Sequence, residues 1–239
     1  MIKTHRRAAW LLLLSLLWVP STARAQEATD TRPGIAVLPF AQGVSTGAER
    51  QDLAALSIGL QQIMITELAQ NADLRVVDRA VLRDLMAEQD LGATGRVDGE
   101  TAARIGKLVG ARYVFTGGFN DIEGVFRLDG RVVDVETSEV IRAEQVTDQR
   151  ERLYGIIVDV SNRVMNAVNL PPLTPAVRTE RQSRATAIPR EAVILYSQAQ
   201  FFQDRGQTDR AKELYRRITD EFPRLTEARE ALRQIEQGG

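Results

Sequence analysis

The chain has 239 residues, 44% apolar and 26% charged, with 31 basic against 32 acidic side chains and a formal charge of −1. This is the composition of a folded globular protein, and the length allows one or two domains. Cysteine is absent and the single histidine is His5, so no Ser-His-Asp triad, Cys-His pair or His/Cys zinc site can be built beyond the first few residues.

Lys3, His5, Arg6 and Arg7 precede an uncharged run from Ala8 to Val19, and Ala23-Arg24-Ala25 supplies an A-x-A cleavage pattern. Residues 1–25 therefore read as an export signal. The run is too short for a bilayer span, which takes about 20 residues. Cleavage would start the mature chain at Gln26 and leave 27 basic against 32 acidic residues, a charge of −5. No nucleic-acid partner is expected from that balance. Gln26 stands where a bacterial lipoprotein carries its acylated cysteine, so no lipid anchor is expected either. The expected location is the periplasm, with association at the outer membrane an option.

Gly34 to Phe40 is an apolar run closed by Pro39 and predicts a buried strand. Leu53, Leu56, Leu60, Ile63, Met64 and Leu68 recur at helical intervals and predict a helix of about 18 residues. Leu74 to Val77 is a second strand. A helix burying Val81, Leu82, Leu85 and Met86 follows and is broken by Gly92-Ala93-Thr94-Gly95. A third helix starts near Asp98, buries Ala102, Ile105, Leu108 and Val109, and stops at Gly110, where glycine suits a left-handed cap. Tyr113 to Thr116 is the third strand. Strands alternating with helices imply a largely parallel, helix-covered sheet. Phe126, Leu128, Gly130 and Val132 then alternate with Arg127, Asp129 and Arg131, and a return strand through Val140, Arg142, Glu144 and Val146 makes an antiparallel hairpin about a turn at Thr137-Ser138. Leu153 to Val168 closes the domain with a long apolar-faced helix.

Four of the eight prolines (Pro171, Pro172, Pro175 and Pro189) and the polar run Arg178 to Thr186 mark 171–189 as a linker. Beyond it, residues 190–239 read as helical. Leu195, Ala199, Phe202, Gly206, Ala211, Tyr215, Ile218 and Pro223 fall on the signature positions of one tetratricopeptide-like repeat, and Leu225 to Ile235 supplies a closing helix. These eight are the candidate residues for repeat packing or partner binding. A lone repeat cannot bury its own faces, so the first domain, another copy and a separate partner all remain open as its support. The fold class is thus α/β, a mixed sheet with helix-joined parallel strands and an antiparallel hairpin, followed by a small all-α unit. The domains are 1–25, 26–170, 171–189 and 190–239. A chain ending at Asn169 is expected to fold alone, with the repeat as a recruiting arm.

Gly43-Val44-Ser45-Thr46-Gly47 matches G-x-S-x-G, but with no histidine base it reads as a flexible loop. The mature chain holds only Lys107 and Lys212, which close no S-x-x-K spacing, and Gly-rich phosphate cradles are absent. The charges at Arg127, Asp129, Arg131, Arg142 and Glu144 read as cross-strand ion pairs on a wet sheet face. No catalytic residue, metal site or cofactor is expected.

The run Val76-Val77-Asp78-Arg79 with Leu82, Leu85, Glu88 and Gln89, then Gly106 to Val114 and Thr116-Gly117-Gly118, resembles the CsgG family of curli assembly and transport components. Ile35 to Phe40 and Arg131 to Thr137 agree with it, over residues 33–169. The resemblance implies a non-enzymatic envelope protein that assists assembly or secretion, with envelope or secretion-machinery partners and self-association. It places that family's pore hairpins at Asn120 to Gly124 and Asp148 to Arg152, intervals too short for even one membrane strand of about 9 residues. The soluble domain without its pore is the expectation. A ring-forming scaffold and a carboxylate-based enzyme or sugar-binding module are the alternatives.

Overall fold

Short β-branched runs and long 3.6-period runs sort this chain into six strands and eight helices among the residues that the computed structural model describes, 30–46, 50–88 and 97–237. The expected export signal at 1–25, the mature terminus at Gln26, Gln89 and the Gly92–Gly95 breaker lie outside them, as does Gly47 of the G-x-S-x-G match.

Strand β1 (Gly34–Val37) is buried throughout and lies parallel to β3 (Arg75–Val76) on one side and β4 (Tyr113–Ile122) on the other. Strand β2 (Ala41–Ser45) continues along the same side of β4 beyond β1. Antiparallel β5 (Val125–Asp134) and β6 (Val140–Gln149) complete the order β3-β1-β4-β5-β6. The expected mixed sheet is therefore present. Glu123 and Gly124, both at positive φ, form a two-residue turn between β4 and β5, and a short 3-10 turn at 150–152 leads from β6 into the next helix. Neither interval holds a further strand.

Helices cover the sheet from both sides. On one face α2 (Arg79–Glu88) and α3 (Gly99–Leu108) pack Leu82, Met86, Ala102 and Ile105 against Ala36, Leu38, Val114 and Val133. Asp98 caps α3 by accepting the Thr101 amide at 2.7 Å. Gly110, at φ +63°, closes it, with the Ala111 amide donating to the Gly106 carbonyl at 2.9 Å. Val81 and Leu108, expected in the core, are instead more than half exposed, because ten-residue helices lying on one sheet face bury only a narrow stripe.

The other face carries α1 (Arg50–Leu68) and α4 (Leu153–Ala167) over Ile35, Val37, Phe115, Phe119, Phe126, Leu128 and Val132. Beyond them come α5 (Pro175–Ala187), α6 (Arg190–Asp204), α7 (Thr208–Glu221) and α8 (Thr226–Gln237), whose apolar residues join the same core. Residues 32–239 make one compact unit.

Three expectations need correcting. The 171–189 segment is not an open tether: Thr174 caps α5 by accepting the Val177 amide, Pro175 occupies the first turn, and Arg181, Arg184 and Ala185 are buried. Ser45 lies in β2 beside Asp121 rather than in a loop. The sheet ion pairs run along strands rather than across them: Arg127 bonds Asp129 at 2.8 Å on one face, and Arg142 bonds Glu144 at 2.7 Å on the other. Arg131 donates to the Val97 carbonyl instead.

Candidate interaction site

The helical tail is docked on the sheet domain by a close helix crossing. Gly59 of α1 faces Ser197 of α6, and a Cβ at Gly59 would overlap that side chain and come within 2.8 Å of its Cα. Around this contact Gln198 donates to Asp52 at 2.9 Å. Arg79, at the start of α2, donates to both carboxylate oxygens of Asp204 (2.6 and 2.9 Å), to Gln200 (2.6 Å) and to Gln62 (3.1 Å). One guanidinium thereby joins three helices through four hydrogen bonds.

A second junction is buried. Glu67 of α1 is fully enclosed and accepts from Arg181 of α5 at 2.6 Å and from the Tyr154 hydroxyl of α4 at 2.6 Å. Arg184 reaches Glu67 at 3.4 Å and also pairs with Glu227 of α8. Arg181 further donates to Asn162 at 2.5 Å and to Ser161. Two carboxylates balance two guanidinium groups. Burial, reinforced by Glu227 and Glu67, pushes the Tyr154 hydroxyl far above the phenol range, so it stays a neutral donor. Burial works against the Arg184 charge, but Glu227, Tyr154 and Glu67 together outweigh it and hold the guanidinium protonated above its ordinary value. Four helices thus meet at one neutral, desolvated cluster.

Between these junctions α1, α2, α6 and α8 enclose an open cleft of about 510 Å³. Half of its lining is amides and hydroxyls: Gln62 and Thr66 from α1 and Gln70 just beyond it, Tyr196, Gln200 and Gln203 from α6, Thr226 and Gln234 from α8. Most of its charges are already engaged, Arg79 and Arg83 by Asp204, Arg184 by Glu227 and Glu230 by Arg233, while among the described residues Asp78 accepts the Ala80 amide at 2.6 Å and has no cation partner. Capacity remains on the amides. Gln62 and Gln203 use only their carbonyl oxygens, accepting from Arg79 and Tyr215, and leave their NH₂ groups to donate. The cleft is equipped to hydrogen-bond a neutral polar chain. Among the described residues no three His, Cys, Asp or Glu side chains gather as a metal-binding group.

The eight residues singled out from the sequence fall around the α6–α7 helix pair. Leu195, Ala199, Ala211, Tyr215 and Ile218 are buried, and Phe202 is half-buried beneath Arg210, 5.5 Å from its ring. Gly206 turns the chain at φ +69° between the helices, and Pro223 lies exposed in the turn before α8. None of the eight lines the cleft. The residues that form the junction, Glu67, Arg79, Tyr154, Arg181, Arg184, Asp204 and Glu227, escaped the sequence reading. The available signal was Arg181 and Arg184, three apart and so on one helical face inside a segment without apolar period.

Among curated proteins none matches the chain in sequence. Solved structures similar to it include the LpoB C-terminal domain from Salmonella enterica (20% identity, 52% of this chain and 87% of that one, TM-score 0.38). TolB from Acinetobacter baumannii is 19% identical over 59% of this chain and 29% of that one, with a TM-score of 0.40. Lipoprotein GNA1162 from Neisseria meningitidis is 16% identical over 57% and 99%, with a TM-score of 0.38. Residues 19–123 match the model of the family described as curli production assembly/transport component CsgG, a match that stops at the β4–β5 turn, short of the expected 33–169.

Proposed function

We propose that the chain is an exported, non-enzymatic envelope protein that works in the periplasm, assisting assembly or secretion at the outer membrane by binding a protein partner. The observation that carries this reading is the CsgG-family match over residues 19–123 on a sheet whose β4–β5 connection is a two-residue turn. A soluble relative of a transport component has recognition left as its work. The polar cleft supports it, because its charged groups other than Asp78 are paired and its free amides suit a polypeptide backbone. In this reading the tetratricopeptide-like helices shape one wall of the site through α6 and leave α7 as a second contact face.

The test is photo-crosslinking in the native envelope. A photoreactive residue replacing Gln70 or Gln234, on opposite walls of the cleft, should capture one common protein adduct in the periplasmic or outer-membrane fraction. The same residue at Leu108, exposed on α3 on the other side of the sheet, should not. No adduct from either cleft position, or an equal adduct from all three, contradicts the reading.

A further inference from the structure

The sheet ends on β6, which pairs with β5 and, among the described residues, with no other strand. The phase of that pairing is fixed by the Arg150 amide donating to the Gly124 carbonyl at 2.8 Å. Hydrogen-bonded pairs alternate along an antiparallel ladder, so Arg142, Glu144, Val146 and Asp148 turn their backbone groups to β5. Ala143, Gln145, Thr147 and Gln149 turn theirs outward, and a register shift at Ile141 ends the regular alternation. Edge strands of this length are usually blunted with lysine, proline or outward charge. Here 140–149 contains neither lysine nor proline, the four regular outward-bonding residues are uncharged, the one bulge is confined to the Ile141 end, and Val140 and Ile141 are 45% and 43% exposed.

We propose that β6 pairs antiparallel with β6 of a second copy of this chain, about a two-fold axis at Gln145, to give one sheet continuous through both copies. The charges select the occupant and the register. Outward groups sit on odd-numbered residues, so residues opposite each other must share parity. An axis at Glu144 sets the two Glu144 carboxylates opposite each other, and an axis at Val146 sets Glu144 against Asp148. An axis at Ala143 runs the overlap, Val140–Val146, through the register shift at Ile141. The axis at Gln145 pairs Arg142–Asp148 with itself and places Arg142 opposite Asp148 of the second copy, twice, with no like charges opposed, each adding a cross-copy partner to its own-chain Glu144 or Arg152. Both copies then turn their α4-covered faces the same way, as a two-fold perpendicular to the sheet requires.

The chain has no cysteine, so one substitution reads the register directly. Gln145→Cys puts two thiols across the axis with Cα atoms about 5.5 Å apart, within the disulfide range of about 4.4–6.8 Å. Mild oxidation of the purified full chain should convert it to disulfide-linked dimer. Ala143→Cys alone should not link, whereas a mixture of Ala143→Cys and Thr147→Cys should. Gln145→Pro removes an outward N–H without touching the β5 ladder. It should turn a sedimenting dimer into monomer with an unchanged circular dichroism spectrum. The proposal is overturned if the unmodified chain sediments as monomer up to its solubility limit. It is overturned equally if the folded Gln145→Pro chain stays dimeric, or if Ala143→Cys links as readily as Gln145→Cys.

Discussion

Replacing Glu67 by glutamine keeps the volume and one acceptor for the Tyr154 hydroxyl but removes the charge that faces Arg181 and Arg184. Glu67 is fully buried, and the side chains of Arg181 and Arg184 are 4% and 8% exposed, so water cannot take over the lost role. Glu227 is then the only carboxylate for two guanidinium groups, and one positive charge is left buried without compensation. Breaking one partner out of a buried pair costs about 3–5 kcal/mol. In a unit of this size each kcal/mol lowers the melting temperature by about 2–4 °C, so a fall of roughly 6–20 °C follows. Urea titration of the full chain should show the midpoint falling with an unchanged slope. The paired replacement Glu67→Met with Arg181→Met removes both charges, and the double-mutant cycle should recover at least about 1 kcal/mol of coupling. A Glu67→Gln loss below about 1 kcal/mol would refute the claim that this cluster ties the tail to the sheet domain.

Further outcomes follow from single contacts. Gly59→Leu forces α6 away from α1 and should cost at least the 1–3 kcal/mol typical of overpacking, read by thermal unfolding. Burial raises the Asp134 carboxyl, but the Glu136 and Thr137 amides and Arg112 outweigh it and leave it lowered, while Arg142 and then Arg163 lower Glu144. Their stabilisation is complete above the unfolded carboxyl range near pH 4 and is lost as pH falls through the depressed folded values. The Asp134→Asn, Glu144→Gln chain should therefore show a flatter unfolding profile from about pH 5 to 3. The Ser45 hydroxyl is buried without a hydrogen-bond partner among the described residues, so Ser45→Ala should leave stability unchanged or raise it, by up to about 1 kcal/mol. No fluorophosphonate probe should label Ser45.

The sheet domain was legible because its signals are apolar and periodic. The α1 positions Leu56 to Leu68 and the alternation Phe126 to Val132 are buried as their spacing required. The tail was harder to read because its docking is polar. Thr174-Pro175 is a helix start, yet beside Pro171 and Pro172 it reads as a tether. The arginines that fix α5 face inward to carboxylates far along the chain, and no local pattern marks an arginine as buried. A chain ending at Asn169 keeps Glu67 but loses both its guanidinium partners and uncovers the α1 face at Gly59, so it should be less stable than the full chain. Cleft residues such as Gln70 and Gln234 carry no sequence signal because surface glutamines are common on any helix.

The central claim is that the helical tail and the sheet domain are one cooperative unit, and native-state hydrogen exchange tests it most directly. Isolated helices as short as α6 to α8 are marginal in water, so a tethered tail would exchange far faster than the sheet domain. The structure predicts that buried amides of α6 exchange with the same opening free energy as those of α1, and that Glu67→Gln lowers both together. Exchange in α6 to α8 that is fast in the wild type, or that Glu67→Gln leaves unchanged while α1 loosens, would contradict it.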